Sequence, residues 1–196
     1  MWRTVKLGDV CELIGGGTPS KRRPEYFNGA IPWATVRDMR DDILETTEHS
    51  ITEEGLADSS SKVIPKNNVV IASRVGLGKV CLLQQDTAIN QDLRGVIPLN
   101  KDEIDVVYLF YWFKSISEVI ISAGRGATVH GVTLPFLKSL AIPLPPLAEQ
   151  QRIVAKLDAA FAEIDRAIDF TKQREMRLIS LKSSVLSSEL KPEHEA

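Results

Sequence analysis

Apolar and polar positions are arranged in two different ways along this chain, and the change comes near residue 147. Before it, apolar residues come in short runs bounded by Gly, Pro, Asn or Asp. Those runs predict strands over Ile31–Val36, Val69–Ser73, Val80–Gln84 and Leu93–Leu99. Between Asp102 and Ser122 the spacing changes to threes and fours, through Val106, Leu109, Phe110, Phe113, Ile116 and Ile120, which predicts one largely buried helix with Gly124 as its stop. Thr52 is placed to cap a smaller helix.

After the change, residues 148–190 contain neither Gly nor Pro and predict one long helix. Its apolar positions repeat in sevens. A strip of Val154, Phe161 and Ile168 widens the first half of two main series, Leu157, Ile164, Thr171, Leu178 and Val185, and Ile153, Ala160, Ala167, Arg174 and Leu181. Both turn polar in the middle, at Thr171 and Arg174, and then recover. A helix of roughly 40 residues is about 60 Å long, too long to bury its stripe on a domain of about 145 residues. A partner helix is therefore expected, with Ile153, Leu157, Ala160, Ile164, Ala167, Leu178, Leu181 and Val185 at the contact. The join between the two textures, Ile142-Pro143-Leu144-Pro145-Pro146-Leu147, should be extended, because proline lacks an N–H and disfavours helix in the residue before it. The expected class is α+β: a compact mixed domain at 1–147, a spacer or dimerisation helix at 148–190, and a frayed tail at 191–196.

Composition narrows the classes. With 43% hydrophobic and 26% charged residues the chain can bury a core. It shows no apolar run long enough for a transmembrane helix and no secretory h-region at its start, so a cytoplasmic protein without membrane contact is expected. Cys11 and Cys81 stand among apolar neighbours and read as core residues. His49, His130 and His194 lack metal-ligand spacing, so no metal is expected; His49 reads as a surface residue, and His130, after a Gly-rich stretch, as a possible contact. The Gly15–Gly17 and Gly76-Leu77-Gly78-Lys79-Val80 segments lack a complete phosphate-loop order, and Val80 stands where a hydroxyl is needed. Gly15–Gly17 are instead expected to adopt backbone angles closed to other residues. Leu144-Pro145-Pro146-Leu147 lacks the flanking amide and aromatic ring of an adenine-methyltransferase box.

Charge is distributed unevenly beneath a net charge of −2. Residues 41–58 hold seven acids and no Lys or Arg, whereas basic residues dominate on both sides. Such a split suits a DNA-docking face on a domain of low net charge. Lys21, Arg22, Arg23, Arg37, Arg74, Lys79, Gln91, Arg94 and Arg125 are the candidate DNA-binding residues; Arg suits guanine, and Asn or Gln suits adenine. Asn90 and Gln91 could equally tie loops together through their amides, and Trp33 reads as core.

Several segments, in order, resemble the specificity subunits of type I restriction–modification systems. They are Val5-Lys6-Leu7-Gly8-Asp9-Val10, Gly16-Gly17-Thr18-Pro19-Ser20, Tyr26-Phe27-Asn28-Gly29-Ala30-Ile31-Pro32-Trp33, the block from Val69 to Val80, Ile89-Asn90-Gln91, and Ile142 through Val154. The resemblance implies a target-recognition domain followed by a helix that packs antiparallel against a second one as a spacer. It implies sequence-specific binding of double-stranded DNA, no catalysis in this chain, and partner methyltransferase and restriction subunits that carry S-adenosylmethionine, ATP and Mg. A full specificity subunit has two such domains and two such helices, so this chain matches one half. Two readings stay open: a half-subunit that homodimerises on an interrupted palindrome, or a truncated subunit without DNA-binding activity. Outside this family the alternatives are an enzyme, such as a small methyltransferase or nuclease fragment, against which the missing motifs speak, and a coiled-coil adaptor that binds only protein.

Overall fold

The computed structural model describes residues 2–125 and 131–190, and the chain divides into two compact units, 1–152 and 153–196. In chain order the elements of the first unit are β1 (Arg3–Lys6), α1 (Leu7–Val10), β2 (Cys11–Gly15), β3 (Phe27–Ala34), β4 (Ile43–Leu44), β5 (His49–Ile51), α2 (Glu53–Ala57), β6 (Lys62–Ile64), β7 (Val69–Ala72), β8 (Val80–Leu83), β9 (Thr87–Ile89), β10 (Leu93–Pro98), α3 (Val106–Ser115), α4 (Ser117–Arg125), α5 (Leu134–Ser139) and β11 (Ala141–Leu144). The last helix, α6 (Leu147–Glu189), begins in the first unit and runs through the second. The predicted class, a mixed-sheet domain followed by a long C-terminal helix, is the one observed. Among the described residues no single helix is long and apolar enough to cross a membrane.

Three sheets build the first unit. Five strands run in the order β2-β10-β7-β8-β4, four in the order β5-β3-β9-β6, and β1 pairs with β11. Most pairs are antiparallel; β4–β8 and β3–β9 are parallel. The buried apolar run of β7, Val69–Ala72, sits in the middle of the five-stranded sheet, where both neighbours supply hydrogen-bond partners. Val70 and Ala72 of this strand join Leu44, Ile64, Leu83, Ile89 and Leu93 in the main core. Cys81 belongs to that core, and burial pushes both the Cys11 and the Cys81 thiols up to about 12, so neither supplies a thiolate nucleophile near neutrality.

The four strands predicted from pattern are present, each ending one or two residues earlier than expected, while β3 also begins at Phe27. The predicted helix at Thr52 forms, with the Thr52 hydroxyl accepting from Gly55 N at 3.1 Å. The single helix expected over 102–122 is two helices bent by 56° at Ile116. It starts later than predicted because the Asp105 carboxylate accepts from the Val107 and Tyr108 amides, both at 2.9 Å, and so caps the chain there. It breaks because Ile116 sits at φ −106°, ψ 13°, and the Ser115 hydroxyl donates to Trp112 O at 2.7 Å. The bend leaves Phe113 and Ile120 both buried. Gly124 does not end α4, which reaches Arg125. The proline-rich join is extended as predicted, but part of it is a strand: Pro143 lies opposite Thr4 in an edge pairing that needs no donor from it.

Gln150 fixes the first turn of α6 within this unit. It is fully buried, and its amide donates to Glu103 O at 2.8 Å and Pro145 O at 2.9 Å while accepting from Asp105 N at 2.9 Å. In the second unit the helix carries exposed apolar residues, among them Ile164, Leu178, Leu181 and Val185 of the predicted series. Phe161 and Ile168 of the widening strip are exposed too, and so are Phe170, Met176 and Ile179, which lie outside all three series. His130 and the tail 191–196 lie outside the described residues.

Replacing Gln150 with Leu keeps the volume but strands three backbone groups. The expected loss is about 2–3 kcal/mol of unfolding free energy, measured by urea denaturation; a loss under about 0.5 kcal/mol would show that water readily replaces the amide.

Candidate nucleic-acid interface

One recess of the first unit, about 710 Å³, follows the 38–48 segment and is lined by Asp38, Asp41, Asp42, Glu45 and Glu48, with Arg40 as the basic residue of its lining. Its charge repels phosphate. A second recess, about 640 Å³, has a different character. Trp33 and Phe27 give it an apolar floor, Lys21 and Arg37 supply positive charge, and Gln91 and His49 add groups able to form hydrogen bonds. This second recess is the site best suited to a polyanion with planar bases.

Its floor is held from beneath. Trp33 is 6% exposed, its indole N–H donates to Gly17 O at 3.1 Å, and its ring meets Phe27 edge-on with centroids 6.2 Å apart. Gly17 N in turn donates to Ile89 O at 3.0 Å. A Cβ on Gly17 would lie 2.1 Å from the Ser60 hydroxyl oxygen, and one on Gly16 would lie 2.1 Å from Ile89 O. The glycine run is therefore needed for close backbone approach. The unusual backbone angles expected there occur instead at Gly76 (φ +72°) and Gly78 (φ +88°), in the tight turn joining β7 to β8.

The basic wall depends on an acid. Asp38 accepts from Thr35 N at 2.7 Å, the Thr35 hydroxyl at 2.9 Å and Glu48 N at 2.7 Å, fixing the loop after β3 that presents exposed Arg37. On the facing side the Asn90–Asp92 turn is closed by its own side chains. Asn90 Nδ2 donates to Asp92 Oδ2 at 3.1 Å, and Asp92 N donates to Asn90 Oδ1 at 3.0 Å. Asn90 is buried and structural, whereas Gln91 is exposed, accepts from the Thr18 hydroxyl and donates to Asp92 Oδ2 at 3.3 Å.

The recess thus brings together Lys21, Arg37 and Gln91 of the nine candidates. Arg22 is exposed outside its lining. Arg23 is engaged with Tyr26, donating to its hydroxyl at 2.8 Å with the guanidinium 5.3 Å from the ring centroid. Lys79 is tied down as well, since its ammonium donates to Met39 O at 3.1 Å, across the turn that Gly76 and Gly78 shape. Arg74 is exposed and Arg94 half-buried; burial, and then the nearby charge of Arg74, lowers the pKa of Arg94. Arg125 ends α4, and its side chain is outside the described residues. His49 is exposed as expected, yet it also lines the recess, 6.4 Å from the Trp33 ring. Only the pairing of β5 with β3, which sets His49 opposite Trp33, reveals this, and no local signal encodes that pairing. Among the described residues no cluster of His, Cys, Asp and Glu could hold a metal ion.

Comparison with known proteins bears on this geometry. The family model for the type I restriction modification DNA specificity domain matches residues 1–177. The chain is 37% identical over 184 residues to the type I restriction enzyme EcoR124I/EcoR124II specificity subunit of Escherichia coli, covering 90% of this chain and 44% of that one. It is 34% identical over 161 residues to the MjaIX specificity subunit of Methanocaldococcus jannaschii, covering 80% and 37%. Among solved structures, a chain from a study of assembly and conformational transition of the type I R-M system superposes with TM-score 0.80 at 25% identity, covering 95% of this chain and 45% of that one. The HsdS subunit from Thermoanaerobacter tengcongensis superposes with TM-score 0.68 at 26% identity, covering 84% and 38%. The chain spans less than half the length of these relatives.

Gly17→Ala should disrupt the recess, because its methyl would lie 2.1 Å from the Ser60 hydroxyl oxygen and 2.6 Å from the Ser60 carbonyl carbon. The expected result is a drop of roughly 1–3 kcal/mol in stability with a changed Trp33 fluorescence maximum. An unchanged spectrum and melting point would show that the segment yields freely.

Proposed function

The chain belongs to the type I restriction modification DNA specificity family, and from that membership we propose that it selects the DNA target of a restriction–modification complex without itself catalysing a reaction. The observation that carries the reading is the recess in which Lys21, Arg37 and Gln91 surround an apolar floor. Cationic groups there hold the phosphate backbone, and Gln91, with Arg37, contacts base edges. The complex acts in the cytoplasm. Partner methyltransferase subunits supply S-adenosylmethionine and the chemistry on a flipped adenine, and restriction subunits supply ATP- and Mg-dependent cleavage.

The exposed apolar positions of α6 support the second half of the proposal. Residues 1–147 act as the recognition domain and 148–190 as the spacer. Two copies pair their helices antiparallel through Ile153, Leu157, Ala160, Ile164, Ala167, Leu178, Leu181 and Val185. A two-fold axis then imposes an interrupted palindrome on the target.

Duplexes selected by the chain from a random pool test the first half. Affinity should fall steeply as salt rises, and Arg37→Ala should weaken binding by about 1–3 kcal/mol. Salt-independent or absent binding would favour a protein-only adaptor. Light scattering tests the second half: a mass near twice 21.7 kDa is expected, falling to the single-chain value in Leu157→Glu, whose charge cannot be buried unpaired. A variant that keeps the doubled mass would remove Leu157 from the contact.

A further inference from the structure

Beside the recess, Arg74 lies near enough for its charge to act on Arg94, and among the described residues neither guanidinium is paired with an acid. β7 and β10 are neighbours, with Leu93 opposite Ala72 and Arg94 opposite Ile71. Just beyond the end of β7, both the amide and the hydroxyl of Ser73 donate to Asp92 O, at 2.8 and 3.2 Å. Those bonds hold Arg74 at the strand end from which Arg94 sets out. On its other side Arg94 faces Gly15, where a Cβ would lie 3.1 Å from Arg94 Nη1, so its guanidinium occupies space that a side chain would fill. On the far side Gly131, at φ +125°, leaves no room for a side chain: a Cβ there would lie 2.7 Å from Ser73 O and 3.1 Å from Arg74 Cα.

The charge of this arrangement is unbalanced. Arg94 Nε is buried and has no hydrogen-bond partner among the described residues, one of two such side-chain atoms. Neither arginine enters an ion pair there. Asp92, the nearest acid in sequence, directs Oδ2 to the Asn90 and Gln91 amides instead. A buried donor left unpaired beside a second cation is costly, and such arrangements mark sites completed by an anion.

We infer that Arg74 and Arg94 together clamp one phosphodiester oxyanion of the DNA backbone, positioning the duplex without reading its sequence. The inference rests on the DNA-recognition reading and deepens it. Two guanidinium groups can share a tetrahedral oxyanion through several charge-assisted bonds. DNA is the source because the clamp continues into the recess through Gln91 and Asp92, which line it. Lys21, Arg37 and Gln91 then face the bases and the next phosphates, while Arg74 and Arg94 fix the register.

Fluorescence anisotropy of the full chain, on a selected duplex and on a scrambled one across a salt series, tests this. Arg74→Gln, Arg94→Gln and the double variant should each lower the slope of log affinity against log salt by about 0.9, the value for one phosphate. The loss should be equal on both duplexes and no larger in the double variant. Arg74 is exposed, so its variant gives a reading even if Arg94→Gln fails to fold. A scan of single neutral methylphosphonates against the wild-type chain should find one position that reproduces the Arg74→Gln slope. Unchanged slopes, loss confined to the selected sequence, or no such position would overturn the clamp while leaving DNA recognition standing. A wild-type chain that binds neither duplex would overturn the recognition reading, and the clamp with it. Inorganic phosphate that raises the melting point of the wild type but not of Arg94→Gln, with DNA slopes unchanged, would indicate a free-anion site and also overturn the clamp.

Discussion

Hydrogen bonds around residues 89–92 hold together the loops that frame the recess and the proposed recognition surface. This short stretch carries the chain from β9, in the four-stranded sheet, to β10, in the five-stranded one. Ile89 O accepts from Gly17 N and from the Ser61 hydroxyl, each at 3.0 Å. Asn90 N donates to Ala34 O at 3.0 Å, and Asp92 O accepts from Ser73 N at 2.8 Å. One turn therefore ties together the glycine run, the end of β3, the loop before β6 and the end of β7. Lys21, Arg37, Arg74, Gln91 and Arg94 all extend from segments fixed by this junction or close to it. A binding surface assembled from loops needs such a junction, because loops alone do not hold side chains at fixed separations.

The buried amide of Gln150 plays the corresponding part at the base of the long helix. A helix needs its first turn fixed by groups other than its own, since its early amides lack intrahelical partners. Here the backbone preceding α3 and the proline segment receive the Gln150 amide, so the start of α6 is part of the first unit. Beyond it, the exposed Ile164, Leu178, Leu181 and Val185 present an apolar surface of the kind that a second helix covers.

Much of this was legible in the residues. β7, β8 and β10 and the α6 helix follow from local apolar spacing, and the Thr52 cap from a hydroxyl ahead of two acids. The bend at Ile116 was not legible, because the apolar period continues through it and only the packing of Phe113 and Ile120 requires two helix directions. Of the cations in or beside the recess, charge segregation marked Lys21, Arg37, Arg74 and Arg94 as candidates. It also marked Lys79 and Arg23, whose charged groups are engaged with Met39 O and Tyr26. Charge along a sequence does not show which cation folds back on its own backbone.

By itself the sequence determined where β3, β7, β8 and β10 run, that a short helix starts at Thr52, that the cysteines are core, and that a proline-rich extended join leads into a long apolar-striped helix. These properties depend on neighbours within a few residues, where side-chain period and backbone preference act directly. Tertiary structure alone decided that Gly16 and Gly17 serve close approach, that His49 faces Trp33, and that the charge of Arg74 reaches Arg94, whose buried Nε has no hydrogen-bond partner among the described residues. Each of these joins residues far apart in the chain or on different strands. Such meetings are set by strand order and register, which local periodicity does not encode.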